Sequence, residues 1–377
     1  MRFPVKKQPP NFHLLVKPTG AVCNQNCSYC FYHPKESIYP GSRFQMSERL
    51  VKIYIKQLIE AHQTREVTLS WQGGEPTIMG LDFFRKAVHY AEQCKKPGQK
   101  LLYTLQTNGT LLDNDWCKFF KAHNFLIGIS IDGPQDLHNA YRVDKNGSGT
   151  FQKVIQGWEL LTKHTVDVNI LCSVHAVNEQ RGLEVYRFFR DTLNATFIQF
   201  IPIVETPETQ VSTLNYSVNM LQFGKFLIEI FAEWFGRDNG KIFVQAFDVA
   251  LGNWIGQYTL CTHAPTCGRS LVLEHNGDMY SCDHFVDKEH LLGNIMTTPM
   301  IDLVASEQQL EFGTSKLAML PQYCKQCDVF SLCYGGCPKD RIIKTPDGEP
   351  SLNYLCAGYK AFFQHIIPSL KEMARYL

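Results

Sequence analysis

Cys23, Cys27 and Cys30 fall within the single run CNQNCSYC, a polar segment in which aliphatic packing cannot account for three closely spaced thiols. Thiolates at this spacing can converge on one inorganic centre. A closed structural zinc site or electron-transfer cluster takes four ligands, whereas three leave an open coordination position at which a small molecule can be bound and activated. The competing reading borrows a distant Cys or His and closes a zinc site.

A second set comprises Cys261, Cys267, Cys282, Cys324, Cys327, Cys333, Cys337 and Cys356, enough for two four-ligand sites. Cys324-x2-Cys327 suits structural zinc as well as iron–sulfur ligation, so spacing alone leaves both open. Cys94, Cys117 and Cys172 lie in apolar helical or strand segments and read as small core residues. Charge selects no partner: 37 Lys and Arg against 36 Asp and Glu leave a formal +1, with no electrostatic footprint for nucleic acid or an anionic membrane. No apolar run has signal-peptide or membrane-spanning character, which implies a cytoplasmic protein whose cysteines serve metals, not disulfides.

The elements that must position these groups follow from periodicity. Strands are expected at HLLVKP near 13, VTLSW near 67, LLYTLQ near 101, LIGISI near 126, VNILCSV near 168 and FIQFIPI near 197. Helical periods fill the intervals, from SERLVKIYIKQLIEAH with Ser47 as its N-cap to NMLQFGKFLIEIFAEWF. Strands alternating with helices imply a parallel sheet, and six units suit an α/β, partial (β/α)6 TIM-like barrel, with a doubly wound sheet as the alternative. Residues 1–239 are assigned to this barrel. Residues 240–377 are assigned to a smaller Cys-rich domain with a C-terminal helix, in which metals stand in for a core.

In such barrels functional residues collect after the C-terminal ends of strands. The cysteine run follows the first strand, QGGEP the second, QTNG the third and SIDGP the fourth. With Tyr29 just before its last cysteine, Cys-x3-Cys-x2-Cys resembles the signature of the radical S-adenosylmethionine (SAM) superfamily. That resemblance implies a four-iron cluster whose open iron chelates SAM and whose electron cleaves it to a 5'-deoxyadenosyl radical. It further implies SAM contacts at Tyr29, Gly74 of the GGEP turn, Ser130, Arg142 and Val204, with plain core packing as the alternative for Val204. Arg suits the SAM carboxylate because its planar fork donates two hydrogen bonds.

The later cysteines are similar to the SPASM extension of that superfamily, which carries two auxiliary four-iron clusters. The resemblance implies Cys261, Cys267, Cys282 and Cys337 for one cluster and Cys324, Cys327, Cys333 and Cys356 for the other, three clusters in all. Taken in order, VKPTGAVCNQNCSYCFY, WQGGEP, QTNG, SIDGP, QFIPIVE, CGRSLVLEHNGDMYSCDHF, LGNI and CYGGCP resemble the anaerobic sulfatase-maturating enzymes over nearly the whole chain. These oxidise a Cys or Ser of a sulfatase to 3-oxoalanine (Cα-formylglycine). The resemblance implies Asp283 as proton acceptor, a sulfatase polypeptide as partner and reduced ferredoxin or flavodoxin as electron donor. An unperturbed aspartate, with a pKa of about 3.9, is ionised at neutral pH as a base should be. Tyr32 is a candidate for lining the substrate cavity; His263, His275 and His284 receive no role. Two alternatives remain: another SPASM peptide-modifying enzyme, for example a thioether-forming one, and a non-enzymatic zinc or iron–sulfur module.

Overall fold

A computed structural model describes residues 11–205 and 216–376. The strands are β1 (His13–Val16), β2 (Glu66–Trp71), β3 (Lys100–Thr107), β4 (Phe125–Ser130), β5 (Asp167–Val174) and β6 (Phe197–Pro202), all six where periodicity places them. They are followed by β7 (Phe243–Val244), β8 (Ser270–Leu273), β9 (Asp278–Tyr280) and β10 (Leu291–Asn294). One ten-stranded sheet results, in the order β10-β9-β8-β1-β2-β3-β4-β5-β6-β7. From β8 to β7 every pairing is parallel, and only the β8–β9 and β9–β10 pairings are antiparallel. A doubly wound sheet reverses its strand order at a switch point. Here β1 to β6 neighbour one another in chain order and both ends stay open, which is the topology of a partial barrel.

Local signals explain the helices. Ser47 Oγ accepts from the Leu50 amide at 3.2 Å, capping Glu48–Ala61, and that helix buries Leu50, Val51, Tyr54, Ile55, Leu58 and Ile59 along one stripe. Asp113 caps Asn114–Ala122 in the same way through the Asp115 and Trp116 amides. Asn219 caps the long helix Met220–Arg237. On β3, alternation sends Leu101, Tyr103 and Leu105 into the core while intervening side chains are partly exposed.

Pairing runs across the expected boundary at 239/240. β7 lies on β6, with Phe197 opposite Phe243, and β8 lies on β1 along its whole length. The C-terminal helix Cys356–Met373 contributes Tyr359, Phe362, Phe363, Ile366 and Leu370 to the same core as the barrel. The Cys-rich region thus owns little core of its own but shares the barrel's, because its aromatic helix packs against Met220–Arg237. No helix among the described residues is long and apolar enough to cross a membrane.

Candidate active site

The cysteine loop leaves β1 at Lys17 and is held from two sides. The Asn26 amide donates to Val143 O at 2.8 Å and the Ser28 amide to Tyr141 O at 3.0 Å. From the other side, Gly74 N donates to Gly20 O at 2.8 Å and Glu75 N to Val22 O at 2.9 Å. A Cβ on Gly74 would lie 2.0 Å from Val22 O, so glycine is required there for the GGEP turn to seat against the cysteine loop. Glu75 is fully buried, and its carboxylate accepts from Thr77 N, Thr77 Oγ1, Thr107 Oγ1 and Asn108 N at 2.6–3.0 Å. It therefore straps the β2 loop to the β3 loop. Asn108, from QTNG, then reaches Asn24 Oδ1 at 2.8 Å and Cys23 Sγ at 3.6 Å. Burial pushes the Cys23 and Cys27 thiols up to about 12 and raises Cys30 too. Metal loading must consequently displace protons from all three.

Beside this loop, Arg142 donates from Nε to Asp132 Oδ2 at 2.7 Å and from Nη2 to Asp132 Oδ1 at 3.1 Å. Asp132 also accepts from the Tyr29 hydroxyl and, at 2.9 Å, from the Ser173 amide. Burial favours its neutral form, yet Arg142 foremost holds its carboxyl below the usual range. The fork expected to take the SAM carboxylate is thus already oriented by a protein carboxylate, with the Tyr29 ring 5.6 Å from its Cζ. Ser130 ends β4 opposite Leu171, 7% exposed. Val204, also 7% exposed, belongs to the main apolar core.

Asp283 is not a solvated loop aspartate. Its Oδ1 lies 2.5 Å from Lys17 Nζ and 3.8 Å from Lys35 Nζ, and its Oδ2 accepts from the Tyr32 hydroxyl at 2.7 Å. Lys35 also donates to the Asp283 carbonyl. Gln72, the glutamine of WQGGEP, donates to Tyr32 Oη at 3.2 Å, and Lys17 donates to Glu274 Oε1 at 2.9 Å. Burial alone would raise the Asp283 carboxyl, but Lys17, Lys35 and His284 together hold it well below the carboxylate range. Tyr32 moves the other way, raised by burial and by Asp283, and stays a donor. Lys17, Lys35, Glu274 and Asp132 carried no assignment from the sequence. Lys17 had one signal: a lysine at the C-terminal end of a barrel strand, where functional groups collect.

The remaining cysteines divide by position. Cys324, Cys327, Cys333 and Cys356 line one cavity. Cys261, Cys267 and Cys282 act on one another electrostatically, and Cys337 is acted on by Cys282. Among the described residues no group of three or more His, Cys, Asp or Glu is arranged to hold a single metal ion. All fourteen cysteines are free; Cys117 and Cys172 are fully buried and Cys94 packs against the core.

Comparison with known proteins accords with this geometry. The Radical SAM superfamily is matched over residues 18–189 and SPASM, an iron-sulfur cluster-binding domain, over residues 261–328. A serine-type anaerobic sulfatase-maturating enzyme of Bacteroides thetaiotaomicron is 42% identical over 97% of this chain and 92% of its own. A cysteine-type counterpart from Clostridium perfringens is 34% identical over 97% of this chain and 99% of its own. The structure of native anSMEcpe with bound AdoMet and Cp18Cys peptide superposes with a TM-score of 0.88 at 34% identity, covering 98% of this chain and 100% of that one. SAM and four-iron clusters are therefore the cofactors of this chain. The chain belongs to the anaerobic sulfatase-maturating enzymes, radical SAM oxidoreductases with a SPASM domain.

Proposed function

We propose that this chain oxidises a Cys or Ser side chain of a sulfatase to 3-oxoalanine, with Asp283 taking the thiol or hydroxyl proton. In this reading Cys23, Cys27 and Cys30 hold the SAM-binding cluster. Cys261, Cys267, Cys282 and Cys337 hold one auxiliary cluster and Cys324, Cys327, Cys333 and Cys356 the other, with reduced ferredoxin or flavodoxin as electron source. Tyr29, Gly74, Ser130, Arg142 and Val204 are assigned to SAM. When bound, SAM and its cluster supply the radical that removes a hydrogen atom from the target β-carbon.

The observation that carries the reading is the nest around Asp283. It follows the ligand Cys282, yet reaches the first cysteine loop's own residues, Tyr32 at 2.7 Å and Lys35 at 3.8 Å. A carboxylate held this low is a weak base in the resting protein. It is base enough here, because once the target carbon has lost a hydrogen atom and an electron, the proton sits on a C=S or C=O and is strongly acidic. Loss of one hydrogen atom to the SAM-derived radical, one electron to an auxiliary cluster that the later cysteines would hold, and one proton to Asp283 leaves the carbonyl from Ser, or from Cys a thiocarbonyl that water hydrolyses with release of sulfide. Lys17 and Tyr32 hold the two carboxylate oxygens, so the proton goes to a fixed place.

The test is reduced, iron-loaded protein with SAM and a short peptide carrying a sulfatase target Cys or Ser, scored for aldehyde by mass spectrometry. About twelve iron atoms per chain are expected from three four-iron clusters. Asp283→Ala should lower aldehyde yield by about 100-fold or more and leave SAM cleavage in place. An unchanged yield removes Asp283 as the base, and a thioether product without aldehyde moves the chain to the other peptide-modifying class.

A further inference from the structure

Two cations, buried Lys316 and half-buried Arg341, lie against the loops that join the C-terminal cysteines and form no ion pair with a carboxylate among the described residues. Lys316 is 1% exposed, and its ammonium donates to the carbonyls of Cys261 at 2.6 Å, Thr262 at 2.9 Å and Ala264 at 2.5 Å. Those carbonyls belong to the loop joining Cys261 to Cys267. Arg341 donates to Lys316 O at 2.7 Å, Gly335 O at 3.2 Å, Tyr334 O at 3.3 Å and Gly336 O at 3.4 Å. Gly335 and Gly336, at φ 69° and 61°, make the left-handed turn of CYGGCP that joins Cys333 of one set to Cys337 of the other. The guanidinium thus fills the turn linking the two sets, and its bond to the Lys316 carbonyl brings the two cations into one chain of contacts.

Carbonyl dipoles satisfy the hydrogen-bonding capacity of these cations but not their charge. Buried charges of like sign placed together are costly unless an anion is near. The cysteines coupled electrostatically to Lys316 are Cys267, Cys261 and Cys337, and those coupled to Arg341 are Cys324, Cys267, Cys337 and Cys333; each becomes anionic as a metal-bound thiolate. The other charged pair next to Cys337, Lys339 and Asp340, is 2.5 Å apart and offsets itself. A four-iron cluster ligated by thiolates is a net anion and gains one further negative charge on one-electron reduction. A fixed cation beside it therefore stabilises the reduced form more than the oxidised form.

We propose that Lys316 and Arg341 set the redox potentials of the two C-terminal clusters, making both easier to reduce, Lys316 acting chiefly on the cluster of Cys261, Cys267, Cys282 and Cys337 and Arg341 on both. The inference rests on the cluster assignment proposed above, and its readout needs no peptide. Its consequence is a downhill path for the electron that leaves the substrate, away from the first cluster.

The experiment is an EPR-monitored redox titration of the full iron-loaded enzyme, with SAM added to mark the first cluster's signal. Lys316→Met and Arg341→Gln should each shift auxiliary midpoint potentials to more negative values while the first cluster stays put. Lys316→Arg, which keeps the charge, should titrate with the parent. Full iron content with unmoved auxiliary potentials in the two neutral variants overturns the proposal and leaves the cations a purely structural role. If Lys316→Met does not load iron, Arg341→Gln against the parent decides, and an unmoved potential there is equally fatal. Absence of aldehyde in the parent overturns the sulfatase reading and leaves the potential shift standing, so the two failures are distinct.

Discussion

Lys17 serves two carboxylates at once, Asp283 at 2.5 Å and Glu274 at 2.9 Å, while being fully buried itself. Burial opposes its charge, but Asp283 and Glu274 more than compensate and raise its pKa. Removing it as Lys17→Met would take from buried Glu274 its hydrogen-bonded ammonium, a change that costs about 3–5 kcal/mol in comparable buried pairs. Adding Glu274→Gln should recover part of that loss, because the orphaned charge disappears; denaturant unfolding of the iron-free proteins measures both. The pH dependence has a defined sign. Asp283, held low in the folded chain, contributes stability that is present above the unfolded carboxyl value of about 3.9 and lost as pH falls through its lower folded value. Lys17→Met should raise that folded value and narrow the window, and Asp283 should lose orientation as well, so peptide oxidation falls while SAM cleavage persists.

At the scale of elements, the crossing of Met220–Arg237 with Cys356–Met373 decides how the C-terminal region docks. The contact is glycine on glycine: a Cβ on Gly224 would lie 2.3 Å from Gly358 O, and one on Gly358 would lie 2.3 Å from Met220 O. Neither neighbour is a flexible side chain that could turn away. Gly236 lies on the same helix with nothing within 4 Å of its would-be Cβ. Helix propensity alone favours Ala over Gly by about 1 kcal/mol at either position. Gly236→Ala should therefore stabilise the iron-free protein by roughly 0.5–1 kcal/mol. Gly224→Ala should destabilise it by about 1–3 kcal/mol as the helices are forced apart. Paired thermal melts check the opposite signs, and two shifts of the same sign would show that the crossing does not limit stability.

In the whole molecule, one sheet and one core run through both regions matched as separate families. β8 covers the edge of β1, and Cys356–Met373 lays Tyr359 against Phe223 and Phe362 against Phe231 of the preceding long helix. A chain cut after residue 239 would expose that apolar face together with an unpaired strand edge. It should be recovered aggregated, whereas the full chain should elute as a discrete species on size exclusion; a monodisperse fragment would show that the barrel stands alone. The sequence by itself determined β1 to β6, the Ser47 cap, the cysteine groups and the loops after the strands, because each is written in a period, a spacing or a turn within a few residues. Only the tertiary structure decided that β8 would lie on β1 and that Lys17 and Lys35 would close around Asp283. Those pairings join residues far apart in the chain, and no local period encodes which distant partner a buried charge or a bare strand edge will meet.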